Sequence, residues 1–527
     1  MNEVVGAARS HALGDIPRRS AARFPDRTAL IHRATVLTFA ELDRKIDAAA
    51  NWLWQAGLRP GDRLAILSHN CWQYPVVIFG AARIGVVAVP INFMLTSGEI
   101  AYLLDDCRPS AFIAEDALCS TAQQAISAAS AKVSVRLAIS LAESAVATPR
   151  GWTDFERAMV ETGTAAAPEI AVDDDAPIRI MYTSGTESRP KGVLHSSRTL
   201  MWQYLSCVVS GGMAADDIEV HALPLYHCAQ LDNFLITDIY LGATSIVLDR
   251  PDPSAILDAV ERHGATNLFC PPTVWIALLD RLSEQNRALP SLRKGYYGAA
   301  ALPIEVLHDL REKFPNLRLW NFYGQTEMGS LATALPPSEQ DRRPGSAGRP
   351  ALNVQTAIMD DDNRVVATGS VGEIVHRSPQ VTLGYLNQPE KTEEAFAGGW
   401  FHSGDLGYFD EDGYLWVVDR KKDMVKSGGE NVATREVEEV LYEIDAVVEA
   451  AVYGIADSRW IEAVAATVVV RDASVSVEDI VAHCRKKLAP YKIPKSIVFA
   501  EELPKNPSGK VLKRTLRENH VRLGDSA

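Results

Sequence analysis

Most of what would mark a secreted, membrane-spanning or nucleic-acid-binding protein is missing from this sequence. Its seven cysteines (Cys71, Cys107, Cys119, Cys207, Cys228, Cys270 and Cys484) are scattered, odd in number and form no C-x-x-C pair. That excludes a disulfide framework, argues against zinc, and predicts core cysteines in a reducing, cytoplasmic compartment. Positive charge is scarce: 53 Lys and Arg stand against 67 Asp and Glu, a net charge of −14. A nucleic-acid binder would need a basic face, so that class is excluded, although nucleotides are not. Residues 1–10 carry no basic segment followed by an apolar run, so no signal peptide is expected. The longest apolar stretch, Val76 to Ile91, is interrupted by Arg83 and is too short to span a bilayer. There is no repeat, no low-complexity tract and no G-x-x-x-x-G-K-[ST] phosphate loop.

What is present is a long, globular, domain-rich pattern. At 527 residues two or three domains are expected. Thr38 followed by Glu41 is a capping box ahead of a helix that should end at Gly57. Leu64–Leu67 reads as a buried strand, Val76–Ile84 as a helix and Val86–Val89 as the next strand. This alternation continues to about residue 330 and predicts parallel sheets faced by helices. From 345 to 418 short β segments lie between Gly and Asp turns, which predicts a small β-rich subdomain or distorted barrel. The charged run 419–423 divides this from a final α/β pattern of helices Glu436–Tyr442 and Val477–Lys487 and strands Glu449–Tyr453 and Ala465–Val470. The domains are therefore set at 1–418 and 424–527, with 419–423 as a hinge.

Several segments carry chemistry. Met181 to Gly192 is a hydroxyl- and glycine-bearing loop ending in Pro190 and Lys191, suited to wrapping phosphate oxygens and placing one cation beside them. Asn321-Phe-Tyr-Gly-Gln-Thr-Glu327 follows an apolar strand and offers an aromatic face, a hydroxyl and a carboxylate suited to Mg²⁺. Asp405 sits on a Gly turn, where a carboxylate suits a pair of ribose hydroxyls. Pro504 to Lys510 is a Pro/Gly turn ending in lysine. In isolation each would be an ordinary surface turn.

Together they resemble the adenylate-forming superfamily of acyl-CoA synthetases, luciferases and peptide-synthetase adenylation domains, most nearly bacterial fatty-acyl-CoA synthetases. The resemblance runs over about residues 20–518 and is unbroken from Phe401 to Glu430. One departure stands out: Glu187-Ser188 replaces the family's usual Thr-Gly pair, which removes a glycine from the phosphate loop and adds a carboxylate. The resemblance implies a large N-terminal domain of two parallel-sheet α/β subdomains plus a small distorted β-barrel, followed by a small mobile α+β domain. It implies ATP, Mg²⁺ and CoA as cofactor and co-substrates, and a reaction through an acyl-adenylate.

By the same resemblance, Thr183, Ser184, Gly185, Thr186 and Lys191 face the β,γ-phosphates, and Gly298, Ala299 and Ala300 the adenine. Asn321, Tyr323, Gly324, Gln325 and Thr326 complete the nucleotide site, and Glu327 holds Mg²⁺ with Thr186 or Thr326. Asp405 takes the ribose, Arg420 the ribose or phosphate, and Lys510 the charge between carboxylate and α-phosphate. After a rotation at Lys422, Lys426, Ser427, Gly428, Gly429 and Glu430 would serve CoA.

His227 resembles the gate between acyl and CoA sides. Amino-acid-activating relatives carry an aspartate there, so its absence argues against an amino acid; Asp232 is expected to make a local helix contact instead. Gln230, Leu231, Cys270, Val274, Trp275 and Tyr297 are the acyl-pocket candidates, mostly apolar or aromatic. Medium- or long-chain fatty acids are the first expectation, and aryl or steroid/terpenoid side-chain acids the second. An acyl-AMP ligase serving a carrier protein, a luciferase-like oxygenase and a non-catalytic relative are the other classes considered. No membrane segment is expected, and a homodimer is allowed.

Overall fold

The computed structural model describes residues 5, 8–9, 11–141, 148–163, 166–183, 189–285, 287–298, 302, 304–427, 430–457, 460–471, 475–505 and 511–524. Ser184, Gly185, Thr186, Glu187, Ser188, Ala299, Ala300, Gly428, Gly429 and Lys510 lie outside the described residues.

Local rules set the first elements. Thr38 caps the helix Phe39–Gln55 by the reciprocal box: its hydroxyl accepts from Glu41 N at 3.2 Å while the Glu41 carboxylate accepts from Thr38 N at 2.8 Å. Leu42, Ile46, Ala49 and Leu53 line its buried stripe. The next helix, Gln73–Arg83, is buried all round. Arg83, which interrupts the apolar run, is therefore inside rather than at a boundary. Its guanidinium bonds Asp43, Asp47 (2.5 Å) and the Gly14 carbonyl (3.0 Å), as a buried charge must. All seven cysteines are buried and free; burial pushes the Cys71 thiol up to about 12. Among the described residues, no helix is long and apolar enough to cross a membrane.

Among the described residues the strands form four sheets. In the eight-stranded sheet, Arg63–Leu67 and Val87–Pro90 run parallel to Pro177–Thr183. Lys191–Ser196 then returns antiparallel, with Thr183 paired to Lys191. The phosphate-loop motif thus joins two antiparallel strands, unlike a strand-to-helix phosphate loop. Gly384–Tyr385 adds an edge strand to Lys191–Ser196.

In the nine-stranded sheet, Asn267–Phe269, Lys294–Gly298 and Arg318–Tyr323 are parallel neighbours. Gly298 and Tyr323 therefore emerge at the same carboxyl-end edge, where ligands of α/β sheets bind. The expected β-rich subdomain is an open four-stranded antiparallel sheet: Gln355–Met359, Gly372–Arg377, Phe401–Phe409 and Leu415–Arg420. Its ladder does not close on itself; a single bridge from Gly348 to Leu415 ties its last strand to the preceding chain. The C-terminal sheet contains the hairpin Val447–Asp457 and Ile461–Val470, packed on Thr434–Tyr442 and Val477–Lys487. At the crossing into it, Asp419 accepts from Thr434 N (2.5 Å), and Arg517 pairs with Asp423 at 3.1 Å.

The strand Ile218–His221 carries a fully buried acid, Glu219, in the middle of the large sheet. Burial and the nearby carboxylates of Asp238 and Asp217 push its carboxyl well above the usual range; Lys294, paired with Asp217 at 2.6 Å, offsets this only in part. Glu219 thus keeps its proton in the folded protein at pH values where the unfolded chain is ionised. The contribution of Glu219 to stability therefore falls as pH rises above the ordinary carboxylate range, by up to about 1.4 kcal/mol per pH unit. Thermal melts from about pH 5 to 8 should show a shallower decline for Glu219→Gln than for the wild type; identical slopes would place the proton elsewhere.

Candidate active site

Asp405 and Arg420 are cross-strand register partners in the antiparallel pair Phe401–Phe409 and Leu415–Arg420. That pairing puts Arg420 Nε 3.3 Å from Asp405 Oδ1. The other carboxylate oxygen accepts from the Tyr323 hydroxyl at 2.7 Å. Ser403 Oγ accepts from the Asp405 N–H at 3.0 Å, which fixes the turn. The result is a buried carboxylate held by a phenol and a guanidinium from two sheets. Burial and the Asp405 charge together push the Tyr323 phenol well above its usual range, so it remains a donor.

Beyond Tyr323 the chain makes a close-packed turn. A Cβ on Gly324 would lie 2.1 Å from the Ser330 oxygen and 2.7 Å from Ala332 N, so only glycine fits. The following single turn of 3₁₀ helix, Thr326–Met328, presents Glu327. Tyr385, at the edge strand, donates its hydroxyl to Glu327 Oε1 at 3.0 Å. Lys191 Nζ stands 5.3 Å from the centre of the Tyr385 ring. Burial raises the Glu327 carboxyl above its usual range, opposed by its own N–H, by Tyr385 and by the charges of Arg420 and Lys191. Lys191, Glu327 and Arg420, the last paired with Asp405, therefore form one electrostatic unit.

The set fits a nucleotide and its divalent ion. A carboxylate beside the Thr326 hydroxyl is the oxygen-donor chemistry that Mg²⁺ takes. Gln325 Nε2 is buried with no hydrogen-bond partner among the described residues, a donor left over for a ligand. Asn321, by contrast, is already used: its amide donates to the Ser346 carbonyl at 2.8 Å.

On the acyl side, His227 is half-buried in the turn ahead of a wide, π-type helical segment, Ala229–Leu235. Its Nδ1 accepts from Ala229 N at 3.2 Å. Cys228 Sγ reaches Thr326 Oγ1 at 3.5 Å, which joins this turn to the nucleotide side. Asp232 does not make the expected local helix contact. It is a fully buried partner of Arg179 (2.5 Å) from strand Pro177–Thr183 and accepts from the Tyr204 hydroxyl at 2.9 Å. It therefore has no free charge to offer a substrate amine.

Of the six acyl-pocket candidates, all but Val274 are packed in the core. Gln230 bonds His221 Nδ1 at 2.8 Å and accepts from Leu223 N at 3.2 Å. Trp275 donates to the Tyr296 carbonyl at 3.1 Å, and Tyr297 to Gln340 Oε1 at 2.8 Å. Leu231, like Cys270, is wholly in the core. His227 and Val274 remain half-buried. On the C-terminal side, Lys426 and Glu430 are exposed, and Ser427 and Glu430 are register partners of an antiparallel pair. Lys422 is exposed at the crossing.

The hydrogen bond from Tyr385 to Glu327 was not expected from the sequence. The two residues are 58 apart, and no local spacing links them.

Residues 17–386 match the AMP-binding enzyme family and 436–510 the AMP-binding enzyme C-terminal domain. A feruloyl-CoA synthase of Amycolatopsis sp is 35% identical over 510 residues, covering 97% of this chain and 99% of its own. A long-chain-fatty-acid–CoA ligase of Mycobacterium tuberculosis is 32% identical over 486 residues, 92% of this chain and 93% of its own. The solved structure of an anthranilate CoA ligase in complex with anthranoyl-AMP superposes with a TM-score of 0.90 at 26% identity, over 98% of both chains. With both domains matched and relatives aligned nearly end to end, the chain belongs to the AMP-binding enzyme family and is an AMP-forming acyl-CoA ligase.

Proposed function

We propose that this ligase activates an aromatic carboxylic acid, of the cinnamate or benzoate class, and transfers its acyl group to CoA. The fatty acids expected first from the sequence take second place. The observation that carries this reading is the kinship at full length with a feruloyl-CoA synthase, joined by the likeness to an anthranilate CoA ligase. One physical feature agrees with it. Asp232 is neutralised by Arg179, which leaves no anion for an amino-acid substrate. The fatty-acid relative at 32% identity sustains the second reading.

In the first step a carboxylate oxygen of the acid attacks the α-phosphorus of ATP. The bridging P–O bond breaks and pyrophosphate leaves. No enzyme nucleophile is required, so catalysis rests on positioning and on balancing negative charge. In this proposal Asp405, backed by Tyr323 and Arg420, grips the ribose hydroxyls, and Thr183 to Lys191 surround the β- and γ-phosphates. Glu327, with Thr186 or Thr326, would hold Mg²⁺, which supplies charge neutralisation at the phosphates. Lys510 would bridge the attacking carboxylate and the α-phosphate. In the second step the CoA sulfur bonds to the adenylate carbonyl carbon, the C–O bond to phosphate breaks, and AMP leaves with the thiol proton lost. Lys426 to Glu430 would then face the cleft after rotation at Lys422.

Pyrophosphate and AMP release should be measured over C2 to C18 fatty acids, benzoate, cinnamate, ferulate, a steroid side-chain acid and amino acids, with and without CoA. The aryl acids should give the highest kcat/KM. A maximum among fatty acids would overturn the substrate class and leave adenylation intact. Lys510→Ala should cut acyl-AMP formation by roughly a thousandfold, yet still turn over supplied acyl-AMP with CoA. Lys422→Pro should do the opposite, sparing adenylation and stalling thioester formation; equal loss of both half-reactions would remove the hinge role.

A further inference from the structure

Glu327 rides on a single helical turn, too short to hold its own geometry. Yet all three backbone carbonyls of that turn are gripped from outside it. The Thr326 oxygen lies 2.8 Å from His195 Nε2. The Glu327 oxygen accepts from the Thr382 N–H at 2.7 Å. The Met328 oxygen accepts from Gln380 Nε2 at 2.9 Å, and the same amide reaches Leu331 O.

The two side chains are themselves fixed. His195 and Gln380 are both buried. His195 lies on the face of strand Lys191–Ser196 that also carries Lys191 and Val193. Burial pushes its imidazole down to about 4, so it is neutral, and a carbonyl partner requires the proton on Nε2. Gln380 Oε1 accepts from Ser206 Oγ at 2.9 Å, anchoring the amide to the helix Ser197–Gly211. Gln380 and Thr382 also lie just before Tyr385, whose hydroxyl meets the Glu327 carboxylate. A polar side chain buried this deeply is costly unless paired, and each places a donor on this turn.

We propose that His195 and Gln380 are positioning residues: by clamping the carbonyls of residues 326 and 328, they aim the Glu327 carboxylate at the metal–triphosphate before substrate arrives. The inference rests on the reading of Glu327 as the metal-side carboxylate. It differs from a packing role, because a leucine at 195 would fill space and not clamp. Precise aim matters here, since a preorganised charge acts without reorganising at the moment of reaction.

The test is the rise in melting temperature on adding ATP, measured once with Mg²⁺ and once with EDTA. The difference between the two reports metal-dependent binding without turnover. His195→Leu should lose at least half of that difference and keep the EDTA value, and its pyrophosphate release should drop about tenfold in kcat with KM for the acid unchanged. His195→Gln, whose amide reaches the Nε2 position, should recover most of the loss; His195→Asn, which is too short, should not. That amide pair keeps the test decisive if the leucine variant fails to fold, and Gln380→Met should repeat the leucine result. A full metal-dependent difference in His195→Leu, or equal loss with and without metal, overturns the inference. Glu327→Gln serves as the control: if it too retains the whole difference, the metal assignment of Glu327 is what has failed.

Discussion

The candidate site hangs on one strand, Lys191–Ser196. It pairs with Pro177–Thr183 on one side and Gly384–Tyr385 on the other. Those two ladders hold Lys191 and His195, both on this strand, beside Tyr385, which meets Glu327 and lies far away in the sequence. Loss of register here would displace all three, because a shift of one residue moves every side chain to the opposite face.

Buried charge recurs in this fold and decides more than stability. Arg83 with Asp43 and Asp47, Lys294 with Asp217, and Arg179 with Asp232 are four ion pairs built on three buried cations. Such pairs add little net stability, but breaking one leaves an uncompensated charge. They therefore lock the arrangement they occur in. The Arg179–Asp232 pair also neutralises the one acid of residues 223–234, which under the proposed function leaves no anion for an amino-acid substrate.

Elements governed by local chemistry were legible in the sequence. The Thr38 capping box and the helix Val477–Lys487 occur where the pattern places them. The strand Leu64–Leu67 is present with one residue more, Arg63, and Glu449–Tyr453 is the middle of the much longer strand Val447–Asp457. Asp405, Tyr323 and Arg420, named separately from their motifs, converge within hydrogen-bonding range. What could not be read were contacts made by topology alone. Glu327 with Tyr385, and His195 with Thr326, are separated by 58 and 131 positions, so no periodicity announces them. The acyl side was the least legible part, since the same apolar and aromatic residues serve equally as pocket lining and as core. Gln230, Leu231, Trp275 and Tyr297 prove to be packed and bonded.

The segment Met181–Gly192 differs from a strand-to-helix phosphate loop in that its lysine sits on a strand. Thr183 and Lys191 are pinned opposite each other by the ladder. The post of Lys191, 5.3 Å from the centre of the Tyr385 ring, is therefore set by the sheet rather than by the residues that precede it, Glu187-Ser188 among them.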